Sequence, residues 1–144
     1  MSGKKRKQDA DPSDTNPVEG ELRFKKIWRS IAWLIIIAII VLSLIPSPEE
    51  ITPFSASDKL MHALAYAVCM LWFGLCFKRK KLFIIGAGLI LLGIALEIVQ
   101  GQTGYRTMSF YDIIADCIGV LIGLLLSFSP LSRSLQYIEQ WFLK

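Results

Sequence analysis

Four stretches of this chain carry almost no charge over about 17 to 20 residues each, enough to cross a hydrocarbon layer of roughly 30 Å at 1.5 Å per residue. Ile31 to Leu44 is uncharged, and Leu60 to Phe77 carries only His62. Leu82 to Gln100 is interrupted by Glu97 alone, and Ile113 to Pro130 by Asp116 alone. A soluble four-helix core needs a polar face on each helix, and these runs have almost none. The expected fold is therefore all-α and membrane-embedded. It has four transmembrane helices in a compact antiparallel bundle, flanked by an expected disordered cytoplasmic tail over residues 1–25. The bundle spans 26–129, and residues 130–144 follow as a short interfacial helix.

The formal net charge of +4 does not point to nucleic acid, because the basic residues are not spread along a binding face. Eight lie before or at the start of the first span, from Lys4 to Arg29, and four form the turn Lys78-Arg79-Lys80-Lys81. Only Lys59 and Arg106 fall on the other side. Bias of this kind sets orientation, so the expectation is a multi-pass protein of the cytoplasmic membrane with both termini in the cytoplasm. Segments 46–59 and 101–110 would then face outward. Helix one has too long an apolar stretch for a signal peptide, with no small-residue cleavage site after it. The three cysteines, Cys69, Cys76 and Cys117, all fall within spans and read as packing residues. With one histidine and no CxxC, neither a metal site nor a cofactor is expected.

Local signals mark the ends of the spans. Pro46 and Pro48 stop the first helix. Ser57 is the expected N-cap of the second, with Asp58 in its first turn. The short basic turn makes helices two and three antiparallel neighbours. Gly101 and Gly104 are expected to break the third helix, and Ser109 with Asp112 has capping-box spacing for the fourth. After Pro130, Leu131, Leu135, Ile138 and Phe142 recur at helical spacing opposite Ser132, Arg133, Gln136 and Glu139. That pattern reads as an amphipathic helix on the membrane surface.

Charge inside a bilayer is costly, so the polar residues in the spans carry the most information. Asp58, His62 and Tyr66 fall at i, i+4 and i+8 on helix two, and Glu97 and Gln100 at i and i+3 on helix three. Asp112 and Asp116 fall at i and i+4 on helix four, with Arg106 in the loop before it. All lie at one depth. On helix four the acids share a stripe with Ala115, Gly119 and Gly123; on helix three Glu97 and Gln100 share one with Gly86 and Gly93. Small residues allow close helix approach in lipid, so the acids should point into the bundle. Asp58 and Asp112 also suit the helix dipole, and His62 could bridge Asp58 and Tyr66 structurally. Acids outnumber fixed bases in this cluster. Either one carboxyl holds its proton or a cationic group binds.

The ordered pieces D-K-x-x-H-x-x-x-Y, G-x-x-x-E-x-x-Q, an arginine, and D-x-x-A-D-x-x-G-x-x-x-G resemble the VanZ-like family. They are Asp58-Lys59, His62 and Tyr66; Gly93, Glu97 and Gln100; Arg106; then Asp112, Ala115, Asp116, Gly119 and Gly123. Ser43-Leu44-Ile45-Pro46 matches the family's S-x-x-P, and the likeness covers roughly residues 30 to 128. One departure is Asp116, where the family usually carries Asn. The resemblance implies a cell-envelope membrane role, with a link to antibiotic resistance against the glycopeptide teicoplanin. It names no reaction.

The expected function is thus an outward-facing polar site that binds, or chemically modifies, a cell-envelope or lipid-linked ligand. Its ligand-binding residues are Asp58, His62, Tyr66, Glu97, Gln100, Arg106, Asp112 and Asp116. A membrane-embedded acid/base enzyme would use His62, Glu97 and Asp116 as its catalytic groups, with Ser43, Tyr66 and Cys117 as nucleophiles only by default. A proton-coupled carrier is disfavoured because the polar groups stop at one depth. Expected partners are membrane lipids, a lipid-linked or cell-wall ligand and another membrane protein. Whether any reaction is catalysed stays open at this level.

Overall fold

The computed structural model describes residues 22–45, 56–104 and 108–143. Four long helices, α1 (Lys25–Leu44), α2 (Ala56–Cys76), α3 (Arg79–Gln102) and α4 (Phe110–Ser127), are each long and apolar enough to cross a membrane. A 3-10 turn (Pro130–Arg133) leads into the short α5 (Ser134–Phe142), and the described residues contain no strand. The chain is a multi-pass, all-α membrane bundle. The expected tail falls almost wholly outside the described residues, as do Pro46 and Pro48. Ile45 is extended (φ −76°, ψ 130°), as the ring of a following proline demands.

Successive long helices run up and down, yet the most extensive contact joins α2 to α4, which run parallel. Pairs across this contact advance together along both helices: Lys59 with Asp112, His62 with Asp116, Ala63 with Gly119, Ala67 with Gly123 and Gly74 with Ser127. The connected pair α2 and α3 are antiparallel neighbours, as the short turn implies, but they touch less than α2 and α4 do. The reason lies in the small residues. A Cβ on Gly119 would run into the Ala63 carbonyl oxygen, and one on Gly123 into that of Ala67. The α4 backbone therefore rests on the α2 backbone through Ala63-xxx-Ala67 and Gly119-xxx-Gly123, a small-residue seam of the kind that joins helices in lipid. A larger side chain at Gly119 would force the two backbones apart.

Three end signals resolve differently from expectation. Helix α2 already begins at Ala56, so Ser57 lies in its first turn and is not its cap. Helix α3 continues through Gly101 to Gln102, and the chain turns at Gly104, whose φ of 77° suits a residue without a Cβ. Ser109 does occupy the N-cap of α4, but its side chain makes no capping bond. Its N–H goes to Glu97 Oε2 on α3 at 2.8 Å, so the acceptor of the capping box comes from another helix.

The C-terminal helix is held more firmly than a surface helix would be. Leu135 and Glu139, one turn apart, are buried against the bundle, and so is Ser132. Glu139 and Ser132 had been expected on the water face. Glu139 instead accepts the N–H groups of Arg23 (2.7 Å) and Phe24 (2.9 Å) and the indole N–H of Trp28 (2.7 Å). The first turn of α1 has no acidic residue and no side-chain cap of its own. Glu139 supplies the missing acceptor and the negative charge that the helix N-terminus favours. Leu131, Ile138, Trp141 and Phe142 stay exposed as an apolar face.

Burial works to raise the Glu139 carboxyl, but the Phe24, Arg23 and Trp28 donors and the Arg23 charge outweigh it and hold the group below the usual carboxylate range. A lowered value stabilises the fold above the unfolded pKa of about 4.3, and that stability is lost as pH falls through the folded value. Thermal unfolding in detergent should therefore show wild type losing its advantage over Glu139→Gln as pH drops below about 4. At pH 7 the variant should be less stable by about 2 kcal/mol, the scale of charged hydrogen bonds. Equal stability of the two proteins at neutral pH would contradict the clamp.

Candidate functional site

The polar residues gather at the end of the bundle where α2 and α4 begin and α3 finishes. Each polar side chain reaches the interior because its helix also presents small residues there. On α4, Asp112, Ala115, Asp116, Gly119 and Gly123 are all buried, which is the stripe read from the sequence. On α3 the buried set includes Gly86, Gly93, Glu97 and Gln100.

An ion pair and a histidine–carboxylate hydrogen bond cross from α2 to α4, one turn apart. Lys59 Nζ lies 2.7 Å from Asp112 Oδ1, and His62 Nδ1 lies 3.0 Å from Asp116 Oδ1. The deeper pair is well shielded, with the Asp116 side chain 2 % exposed and that of His62 13 %. With an ionised Asp116 as its partner, Nδ1 carries the ring proton and the carboxylate fixes the tautomer. The expected bridge does not extend to Tyr66, whose hydroxyl has no partner among the described residues, and His62 instead bonds across to Asp116. Asp58 remains close: ligand atoms of Asp58, His62 and Asp112 lie within 4.8 Å of one another. Those three could in principle hold a divalent cation. The Lys59 ammonium, already bonded to Asp112, opposes it electrostatically.

One turn below His62, Tyr66 is 2 % exposed, and its hydroxyl has no hydrogen-bond partner among the described residues. It faces the space left by Gly93 on α3. A Cβ placed there would stand 3.2 Å from Tyr66 Oη and 2.5 Å from Asp116 Oδ2. Gly93 thus makes room for the phenol and the carboxylate side by side. A buried hydroxyl left unbonded costs about 1–3 kcal/mol, so this one is an unused donor beside an acid.

Glu97 and Gln100 are buried but turn to backbone ends. Glu97 bonds the Ser109 N–H, and Gln100 Nε2 donates to the Ser43 carbonyl at 2.6 Å. The Ser43 carbonyl belongs to the last turn of α1, whose final carbonyls lack intrahelical partners. Both residues therefore close helix ends, while Tyr66 remains within electrostatic reach of Glu97 as well as Asp116. Arg106 lies outside the described residues. Of the default nucleophiles, Cys117 and Ser43 are both half-buried.

The sequence reading grouped Lys59 with the acids but missed its pairing with Asp112. It also missed that Gly93 opens space for Tyr66 and Asp116. The spacing of Gly93 one turn before Glu97 was the available signal. Among the described residues the site holds four acids, Asp58, Glu97, Asp112 and Asp116, with Lys59 as the fixed cation and His62 as the titratable one. Comparisons with protein-family models, curated proteins and solved structures returned no match.

Proposed function

We propose that this chain is a VanZ-like protein of the cytoplasmic membrane whose polar cluster faces outward and binds a lipid-linked or cell-wall ligand. The observation that carries the reading is the unpartnered, buried Tyr66 hydroxyl beside the His62–Asp116 pair. A purely structural cluster would satisfy that donor or replace Tyr66 with Phe, because burying an unbonded hydroxyl only costs stability. The excess of carboxylates favours a ligand that presents amino or hydroxyl donors. Orientation follows from the basic residues, fourteen on one side and two on the other. The ordered resemblance from Asp58 to Gly123 supports the envelope role and the bearing on glycopeptide susceptibility.

A second reading, acid/base chemistry on the same ligand, is favoured by one feature. His62 and Asp116 form a shielded pair able to pass a proton between ligand and ring. Under that reading the envelope lipids of a strain lacking the protein differ in composition from those of the parent. Under the binding reading the lipids are unchanged and only susceptibility shifts.

Tyr66→Phe separates function from fold. It should leave the bundle as stable as wild type, or more stable by about 1 kcal/mol. It should also abolish complementation of teicoplanin susceptibility in a strain lacking the protein. Full complementation by a folded Tyr66→Phe protein would remove the hydroxyl from the site. Sidedness is read by cysteine labelling in a background free of Cys69, Cys76 and Cys117. Thr103→Cys should react with an impermeant maleimide in intact cells, and Lys80→Cys only after lysis. The reverse pattern would turn the cluster to the cytoplasm.

A further inference from the structure

At the opposite end of the bundle from the polar cluster, α1 stands away from α3 and leaves an open apolar groove of about 380 Å³, within the range of about 300–1,000 Å³ typical of small-molecule sites. Its floor is the aromatic pair Phe73 and Phe77 of α2, stacked with centroids 5.5 Å apart. One wall is Trp33 and Ile36 of α1, and the other is Ile85, Gly88 and Leu92 of α3. From Ile85 to Leu92 the groove follows α3 for about 10 Å. Gly88 puts no side chain into it, and an added Cβ there would meet nothing within 4 Å.

Both walls end in a cation on the same helical stripe. On α1, Arg29 precedes Trp33 and Ile36 at i, i+4 and i+7, and its guanidinium lies 4.8 Å from the centre of the Phe77 ring. On α3, exposed Lys81 precedes Ile85, Gly88 and Leu92 at i, i+4, i+7 and i+11. Charge at one end and a narrow apolar trough beyond it match the two parts of an anionic phospholipid. The geometry points to a lipid site: one acyl chain lies in the groove over Phe73 and Phe77, and the phosphate of an anionic head group sits between Arg29 and Lys81. The charge at the mouth selects against zwitterionic lipids, and the Phe73 and Phe77 rings give the chain an apolar floor. The site is independent of the polar cluster and of which way the bundle faces.

Protein reconstituted in equimolar phosphatidylglycerol and phosphatidylcholine, then exchanged into detergent, gives the test by native mass spectrometry. Wild type should retain one phosphatidylglycerol per chain in preference to phosphatidylcholine. Lys81→Gln, an exposed change that leaves packing intact, should lower that preference about fivefold, and Arg29→Gln by a similar factor. Gly88→Phe, which fills the groove with a side chain that has space to enter, should abolish retention while keeping the wild-type melting temperature. Retention by Gly88→Phe equal to wild type, equal retention of both lipids by wild type, or a wild-type dimer that Gly88→Phe converts to monomer would each overturn the proposal.

Discussion

The contact between the α2 and α4 backbones is the constraint from which the rest of the bundle follows. Two helices of leucines and isoleucines would gain nothing by meeting in lipid, which is as apolar as they are. Here the lack of side chains at Gly119 and Gly123 lets α4 lie on the carbonyls of Ala63 and Ala67. That closeness fixes the register of the parallel pair. With Gly119 set against Ala63, Asp116 comes beside His62 and Asp112 beside Lys59. A shift of one residue would turn both acids by about 100° and leave them facing lipid or α3.

Helix ends impose the second constraint. In a membrane the last carbonyls of one helix and the first N–H groups of the next must still be bonded. At the polar end α3 does this for its neighbours, Glu97 for the start of α4 and Gln100 for the end of α1. At the basic end Glu139 of α5 does the same for the start of α1. The buried carboxylates therefore divide by task. Glu97 and Glu139 accept backbone N–H groups, Glu139 also taking the Trp28 indole N–H, while Asp112 and Asp116 meet the side chains of Lys59 and His62. Beside the side-chain group, the buried Tyr66 hydroxyl has no partner among the described residues.

Much of this was legible from spacing alone. Runs without charge gave the four spans, and the stripe Asp112, Ala115, Asp116, Gly119, Gly123 gave the buried face of α4. Period and composition report which side of a helix is small or polar, but not which neighbour it meets. That is why the short turn marks α3 as an antiparallel neighbour of α2, while the more extensive contact of α2 with α4 has no local signal. The same limit hid Glu139. On a helical wheel it belongs to the polar side of α5, yet Leu135 one turn before it draws that flank into the bundle, and the bare N-terminus of α1 offers three donors. Capping signals were read within one chain segment, so an acceptor delivered to Ser109 by α3 could not be seen in local sequence.

His62 is the only histidine in the chain, so protein labelled with 15N-histidine in lipid nanodiscs gives a single imidazole to observe by NMR. If α2 and α4 meet as described, wild type shows a downfield, slowly exchanging Nδ1–H proton. That signal disappears in Asp116→Ala and persists in Asp58→Ala. A wild-type ring without a bonded Nδ1–H, or one whose signal survives Asp116→Ala, would contradict the cross-helix pair and the register on which the site is built.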